Sequence, residues 1–220
     1  MAKIKGKQER GFRAIFGGLE ISHLEGTIIA SFFPEPEEMT IKEIQKRTDY
    51  SYERVNTALK SLVEKGIVQE KKIGKTLVYS LDLKNIYSDS IGFNAYMLQK
   101  EVEFIKKHRN VYKAIKEIKE NPYILGVILF GSYSKGTENK ESDVDLIVTC
   151  IPSKKKEVNN FIRSLEHKYG INFSPVVLPV HEFSDIKRDN PELWNDLKMY
   201  GIVFKGGDAF YYWMYRNENS

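Results

Sequence analysis

The chain has 220 residues and a formal net charge of +4, and charged residues of both signs make up 29% of it. This length suffices for one large or two modest domains, each with its own hydrophobic core. No apolar run approaches the length of a membrane-spanning helix, and no apolar segment follows the basic residues 1–13, so we expect neither a membrane protein nor a signal peptide. The single cysteine, Cys150, excludes an internal disulfide and favours a cytoplasmic location, because the cytosol keeps thiols reduced.

The first third of the chain predicts helices after a basic opening segment. Residues 1–18 are basic and interrupted by glycine, which leaves two interpretations open, a flexible arm or a first strand that covers the next unit. Apolar residues recur at helical spacing over residues 20–33, which predicts a first helix that ends before Pro34. Thr40 and Glu43 have the spacing of a capping box, which predicts the start of a second helix.

A third helix and a hairpin follow. The third helix is predicted over residues 51–65 and ends at Gly66, and two short strands are predicted over residues 67–72 and 76–81. The buried stripe of this helix is expected to consist of Val55, Leu59, Leu62 and Val63. This order of elements, with the phrase LKSLVEKGIVQEKK...LVYSL, resembles a winged helix-turn-helix DNA-binding domain of the archaeal and bacterial regulator type.

The resemblance implies a DNA-binding surface. In winged-helix domains the third helix enters the major groove and the wing contacts the backbone. The residues that would contact DNA are Ser51, Tyr52, Arg54, Thr57, Lys60, Lys71, Lys72 and Lys75. Glu53 and Glu64 lie on the same helix and oppose the approach of phosphate, so a dimerisation or docking module stays open as the alternative.

A polar linker and a long amphipathic region come next. Residues 82–96 are polar, and residues 93–121 have helical periodicity with a break near His108. The lysine-rich face of this region is interpreted as solvated surface. Its buried stripe is predicted to be Leu98, Val102, Ile105, Val111, Ile115 and Ile118.

The most informative stretch carries a glycine-serine pair and two aspartates. Residues 123–130 form a short aliphatic run that predicts a buried strand, and Gly131 and Ser132 follow it directly. A second strand is predicted from Asp143 onward, and Asp143 and Asp145 must lie on the same face because side chains alternate along a strand. Two neighbouring carboxylates repel each other, and a divalent cation bound by both, Mg²⁺ or Mn²⁺, removes that repulsion.

The glycine-serine pair predicts the phosphate side of the same site. Gly131 lacks a Cβ and lets the backbone approach a ligand closely. Ser132 is expected to cap a short helix over residues 133–135, whose free N–H groups attract phosphate. Together with Lys135, these residues are the predicted nucleotide-binding set, so that a nucleoside triphosphate would lie between this turn and the acid pair.

In this stretch a glycine-serine pair is followed, after ten residues, by an Asp-x-Asp pair and an apolar strand. This pattern is similar to the active-site motif of the polymerase β nucleotidyltransferase superfamily, and in particular of the minimal nucleotidyltransferases. The resemblance covers about residues 105–205. It implies a small mixed sheet flanked by helices, with Asp143 and Asp145 as catalytic and metal-binding residues. It also implies Mg²⁺-dependent transfer of a nucleoside monophosphate from an NTP, ATP in the first instance, to a hydroxyl. Minimal nucleotidyltransferases resemble the antitoxin partners of helical toxins that they adenylylate, which implies a protein acceptor or toxin partner.

The last part of the chain predicts alternating helices and strands. A helix is expected over residues 154–169, a strand over residues 171–180, a helix from Pro191 to Gly201 and a final short strand over residues 202–204. The aromatic tail, residues 210–215, is too apolar to lie free, so it is expected to pack on the domain or on a second copy in a homodimer.

The chain departs from the nucleotidyltransferase pattern at one position. Catalytic members carry a third carboxylate on the strand after the helix, where this chain has only Asn172 and Ser174 as polar candidates. Glu182 and Asp185 follow that strand and are expected to belong to the next loop or helix. Two interpretations therefore stay open, an enzyme and a DNA-binding regulator whose second domain only binds nucleotide or a partner. A third interpretation is a protein that binds neither nucleotide nor DNA and serves only in assembly, and the presence of the acid pair argues against it.

The whole sequence predicts an α+β or α/β protein of two domains. The winged helix-turn-helix is expected over residues 1–86 and the nucleotidyltransferase-like domain, with its leading helical region, over residues 87–220. The expected partners are an NTP, DNA and a protein acceptor, and no membrane.

Overall fold

The computed structural model describes residues 13–16, 19–82 and 86–216, and the side chains of residues 20–82 and 91–215. The chain divides into two compact units between Ala95 and Tyr96. Each unit combines small sheets with flanking helices, which confirms the predicted mixed α and β class. Most of the opening segment, for which an arm or a strand was predicted, lies outside the described residues.

The first unit combines short helices with small antiparallel sheets. Its elements in chain order are β1 (Arg13–Phe16), β2 (Leu19–Ser22), α1 (His23–Ala30), β3 (Met39–Thr40), α2 (Ile41–Thr48), α3 (Tyr52–Glu64), β4 (Val68–Ile73) and β5 (Thr76–Leu81). Strands β1 and β2 pair with each other, and β5 lies between β3 and β4 in the second sheet.

Helix α1 begins later than predicted. Residues 19–22 are extended and pair with β1, and the helix begins at His23. The reason is a capping box that the sequence analysis did not use: the Ser22 hydroxyl accepts from the Glu25 N–H, and the Glu25 carboxylate accepts from the Ser22 N–H at 2.8 Å. The prediction of one helix over residues 20–33 was therefore wrong at its start.

Helices α2 and α3 follow the sequence pattern closely. The predicted capping box at Thr40 and Glu43 is present, with the Thr40 N–H donating to the Glu43 carboxylate at 2.7 Å. The buried stripe of helix α3 differs from the predicted one at one member: Ala58 is buried, whereas Val63 is only half-buried. The buried members of this stripe are Val55, Ala58, Leu59 and Leu62.

Helix α4 (Ile86–Lys107) and helix α5 (Arg109–Glu120) are separated at His108, as predicted. The predicted inward face of α4 was wrong, because Leu98 and Val102 are 46% and 43% exposed while Met97 and Phe104 are buried. The helix starts at Ile86, and packing of Ile91, Phe93, Met97 and Phe104 sets its rotation. In α5 the predicted residues Val111, Ile115 and Ile118 are buried.

The second unit is built on a mixed sheet. After α5 its elements are β6 (Ile124–Leu129), α6 (Gly131–Lys135), β7 (Val144–Cys150), α7 (Lys155–Tyr169), β8 (Phe173–Pro179), α8 (Asp185–Asp189), α9 (Pro191–Tyr200), β9 (Ile202–Lys205) and α10 (Gly207–Tyr211). The strand order is β8-β7-β6-β9, in which β7 and β8 are parallel and the other neighbours are antiparallel.

Helices cover both faces of this sheet. Side chains of α5 and α7, including Ile115 and Ile162, form one core with alternate residues of β6 and β7. On the opposite face the ring of Phe210 lies so close to Gly126 that a Cβ there would be 2.7 Å from it. The sheet is therefore the middle layer of the unit, and the end of β7 that carries Asp143 lies at its edge.

The aromatic tail packs on its own unit. Phe210 and Met214 are buried, and the rings of Phe210 and Phe183 meet edge to face at 4.6 Å. The first of the two predicted locations is therefore confirmed. Within the described residues, no helix has the length and apolar character to cross a membrane.

Candidate functional site

The acid pair lies where β7 begins. Asp143 directly precedes the strand, which starts one residue later than predicted, and Asp145 is its second residue. Val144 and Leu146 between and after them are fully buried in the core, so the two carboxylates share the opposite face. Asp143 is exposed and Asp145 is half-buried.

The surroundings of Asp145 disfavour its negative charge. Burial raises the pKa of the Asp145 carboxyl group, and the neighbouring Asp143 carboxylate raises it further, whereas hydrogen bonding from the Ser174 hydroxyl lowers it. In the part of the chain that the structure describes, neither aspartate has a lysine or arginine partner. A divalent cation would supply the missing positive charge, and two carboxylates are hard oxygen ligands that suit Mg²⁺ or Mn²⁺.

Gly131 lies against the Asp145 carboxylate. Its φ is +71°, and a Cβ placed on it would lie 2.0 Å from Oδ2 of Asp145. The adjacent Phe130 N–H donates to the Asp145 carbonyl oxygen at 3.0 Å, which fixes the turn against the strand. The structure thus brings together the predicted turn and Asp145, and only glycine fits at this position.

Ser132 has a different role from the predicted one. Helix α6 begins at Gly131 with Phe130 at its N-cap, and no side chain caps it, so the prediction of a Ser132 cap was wrong. The reason is that the left-handed φ of Gly131 lets the turn begin before the serine. The half-buried Ser132 hydroxyl has no hydrogen-bond partner among the described residues, which leaves it available to a ligand.

Lys135 has a protein partner. Its ammonium lies 2.6 Å from Oδ2 of Asp196 on α9 and 5.2 Å from the centre of the Tyr200 ring. A bound phosphate would therefore compete with Asp196 for this lysine.

A serine lies in register with Asp145 on the neighbouring strand. Asp145 on β7 is in register with Ser174 on the parallel strand β8, and Ser174 is exposed beside it. Glu182 and Asp185 lie beyond the end of β8, in a 3₁₀ turn and at the start of α8. Among the described residues no cluster of three or more His, Cys, Asp or Glu side chains could hold a metal ion, so a metal at the acid pair would have no third side-chain ligand of these types.

The predicted DNA-contact residues of the first unit are all exposed. They are Ser51, Tyr52, Arg54, Thr57 and Lys60 on or before α3, and Lys71, Lys72 and Lys75 on the wing. The Arg54 guanidinium stacks over the Tyr50 ring at 4.5 Å, and Lys71 pairs with Glu38 at 2.9 Å. Gly74 has a φ of +61° and forms the tight turn between β4 and β5.

Lys100 on α4 is a charged group that was not predicted from the sequence to have a structural or functional role. Lys100 was assigned to a solvated face, but its ammonium is largely buried and donates to the carbonyl oxygens of Gly201 and Met199 at 3.1 and 3.4 Å. Burial lowers the pKa of Lys100 to about 8. The signal that would have found it is the alternative rotation of α4, with Met97 and Phe104 inward.

Two family models match the chain. Residues 111–203 match the family described as nucleotidyltransferase domain, and residues 33–84 match the family described as sugar-specific transcriptional regulator TrmB. These matches confirm both resemblances drawn from the sequence.

Two proteins of Methanocaldococcus jannaschii, each named "Putative protein adenylyltransferase", are similar to part of the chain. One is 33% identical over 87 residues, which cover 37% of this chain and 58% of the relative. The other is 37% identical over 46 residues, which cover 21% of this chain and 46% of the relative. The chain thus spans about half the length of the curated relatives that it matches.

Proposed function

We propose that this chain, in which a nucleotidyltransferase domain follows a TrmB-type regulator domain, transfers a nucleoside monophosphate from an NTP to a hydroxyl group. The relatives are named as protein adenylyltransferases, so ATP is the proposed donor and a protein the proposed acceptor. The observation that carries the proposal is the contact of Gly131 with the Asp145 carboxylate, which leaves the predicted phosphate turn and the acid pair on one side of β7.

Each residue of the site has a proposed task. Asp143 and Asp145 would hold the Mg²⁺ or Mn²⁺ ion, which when bound offsets the charge of the triphosphate and activates its phosphorus toward attack. The backbone at Gly131 and the free Ser132 hydroxyl would bind phosphate oxygens. Lys135 would join them by exchanging Asp196 for a phosphate.

A second function is favoured by the serine at the third acid position. Ser174 cannot take a proton from an acceptor hydroxyl near neutral pH, so nucleotide would bind without efficient transfer. In that case the domain would act as a nucleotide sensor attached to a DNA-binding regulator.

For either function the proposed location is the cytoplasm. The single cysteine is buried and forms no disulfide, which fits that reducing compartment.

One experiment separates the two functions. The full chain is incubated with ATP labelled at the α-phosphate and Mg²⁺, with candidate partner proteins and the chain itself as acceptors. Binding with transferred label supports the enzyme, and binding without label supports the sensor. The Asp143→Asn and Asp145→Asn double variant should lose both, whereas Glu141→Gln, which changes an exposed acid nearby, should retain them. Absence of ATP binding in the unmodified chain contradicts both functions.

The first unit is proposed to bind DNA through α3 and the wing. The exposed basic residues support this proposal, as does the match to a transcriptional regulator family. A gel shift with random and cognate duplexes at two salt concentrations tests it, because phosphate contacts make affinity fall as salt rises. Binding that ignores salt, or no binding, contradicts it.

A further inference from the structure

A cavity of about 210 Å³ lies beside α6 in the second unit. Its walls come from the second half of α4, from His108, from α6 and from the first residue of β9. Phe104, Tyr133 and Ile202 give it an apolar base, while its charged lining consists of Lys100, Lys107, Lys135 and Glu103. Positive charge therefore exceeds negative charge on its walls.

Lys100 is the unusual member of this lining. Its buried ammonium is bonded to the carbonyl oxygens of Met199 and Gly201 and lies 5.0 Å from the centre of the Tyr96 ring. Within the described residues it has no carboxylate partner at ion-pair distance. Burial lowers the pKa of Lys100 to about 8, and the nearby Glu103 carboxylate acts in the opposite direction. A buried charge without a counter-ion is costly, so a bound anion would stabilise it.

The other basic groups differ in how far they are already neutralised. Lys107 is exposed and has no ion-pair partner among the described residues, whereas Lys135 is paired with Asp196. His108 is held between the rings of Phe104 and Tyr133, at 4.8 and 5.3 Å, and its Nε2 lies 3.4 Å from Glu138. Lys107 follows Lys100 by seven residues, which is about two helical turns. Both side chains therefore lie on the same face of α4 and line the same cavity.

We propose that this cavity is an anion site for a phosphate group of a small phosphorylated molecule, with Lys100 and Lys107 as its cationic ligands. The cavity is lined by α4 and the far end of α6. Lys135 belongs both to this lining and to the proposed nucleotide site, but neither aspartate of that site lines the cavity. The chemistry is shared by free pyrophosphate and by the phosphate of a nucleoside monophosphate. The site does not depend on the proposed transferase activity.

The test uses the full chain with Asp143→Asn and Asp145→Asn, which removes the proposed metal-nucleotide site. Inorganic phosphate, pyrophosphate and AMP are titrated without metal and followed by calorimetry. We expect at least one of them to bind to this variant. Tighter binding of pyrophosphate than of AMP assigns the site to free pyrophosphate, and the reverse order assigns it to a nucleotide.

Variants of the cavity identify its ligands. Adding Lys100→Met or Lys107→Ala should weaken binding by about tenfold each, as loss of a charge-assisted hydrogen bond does. Lys106→Ala, which removes an exposed lysine of the same helix that does not line the cavity, should leave binding unchanged. Should Lys100→Met fail to fold, Lys107→Glu tests the same site from an exposed position.

The proposal is overturned by two results. One is that none of the three anions binds to the Asp143→Asn and Asp145→Asn chain, which would show that the cavity binds no phosphate group. The other is that Lys106→Ala weakens binding as much as Lys107→Ala does, which would indicate a diffuse attraction to the helix surface.

Discussion

Two places in the second unit carry charge that has no ionic partner among the described residues, and they have opposite sign. At the start of β7 the Asp143 and Asp145 carboxylates lie side by side at the edge of the sheet, where Asp143 is exposed. Beside α6 the partly buried Lys100 ammonium is bonded to two carbonyl oxygens and lies over the Tyr96 ring. Burial disfavours the charge at both places, raising the pKa of Asp145 and lowering that of Lys100, but at Asp145 the neighbouring carboxylate of Asp143 acts in the same direction as burial, whereas at Lys100 the nearby Glu103 opposes it.

This difference suggests different ligands. A pair of carboxylates, one exposed and one half-buried, suits a hydrated divalent cation that arrives with a triphosphate. A buried ammonium in a cavity with an apolar base suits an anion that is itself removed from water. The following changes test the contrast.

The largest effect is expected for Gly131→Ala. The new Cβ would lie 2.0 Å from the Asp145 carboxylate, and the φ of +71° is unfavourable for alanine. Displacement of Asp145 should abolish binding of Mg²⁺ and ATP, and backbone strain should cost about 1–3 kcal/mol of unfolding free energy. Calorimetry and urea denaturation measure the two effects.

The control for this variant is Gly170→Ala at the end of α7. Its φ is +63°, but a Cβ there would meet nothing within 4 Å. It should show the backbone cost and leave ATP binding intact. Equal loss of binding in both variants would mean that contact with Asp145 is not what Gly131 provides.

Lys100→Met tests the buried ammonium through pH. Because burial lowers the pKa of Lys100 from 10.5 to about 8, the unfolded chain holds one more proton between these values. The free energy of unfolding of the unmodified chain should therefore rise with pH in this range, by up to about 3 kcal/mol relative to the variant. The destabilisation caused by the charge on Lys100 is fully present below pH 8 and decreases as the pH rises.

Urea denaturation at pH 7, 9 and 10 on both chains measures this difference. Tyr96, whose ring lies near Lys100, has a pKa raised to about 12 and stays protonated over the range. If the free energy of unfolding depends on pH in the same way for both chains, Lys100 is hydrated. The difference between a Lys100 charge removed from water and the acid pair would then not hold.

Ser174→Asp should complete the acid cluster. The new carboxylate would lie beside Asp145 on the neighbouring strand and provide the missing metal ligand and base. We expect transfer of labelled AMP to increase by about tenfold or more, equivalent to about 1.4 kcal/mol of activation free energy. Val176→Asp, an exposed position two residues further along β8, is the control. No gain over that control would indicate that the acceptor group, and not a third acid, limits transfer.

The smallest effect is expected for Lys72→Ala on the wing. This lysine is exposed, unlike Lys100, so its removal should leave stability almost unchanged. Affinity for DNA should fall modestly and to a similar degree for all sequences, with the slope of log affinity against log salt reduced by about 1. Gel shifts over a salt series measure this, and an unchanged slope would remove Lys72 from the interface.

Local patterns made the acid site predictable. The turn at Gly131 and the acid Asp145 are close in sequence and joined by one short helix and loop, so strand alternation and turn chemistry were enough to place them together. The capping box at Thr40 and Glu43 was equally local. The Ser132 cap was wrong because the conformation of Gly131, and not residue type, decided where α6 begins.

The cationic cavity could not be predicted from the sequence, because it depends on packing between residues that are far apart in the chain. Leu98 and Val102 fit a helical stripe as well as Met97 and Phe104 do, and only the packed structure decides which pair faces inward. As a result Lys100 is not a fully exposed surface residue but a half-buried one, bonded to carbonyl oxygens about a hundred residues away in the chain. The register of Ser174 beside Asp145 also depended on pairing of β7 with β8.

The most direct test of the central claim is calorimetry of the full chain with ATP and Mg²⁺, compared with the Asp143→Asn and Asp145→Asn variant. The account predicts metal-dependent binding to the unmodified chain and, at about 100 times the dissociation constant, about 2.7 kcal/mol of added stability that the variant lacks. Absence of heat and stabilisation with ATP, GTP, CTP and UTP in either Mg²⁺ or Mn²⁺ would contradict it, because the acid pair would then bind no metal-nucleotide.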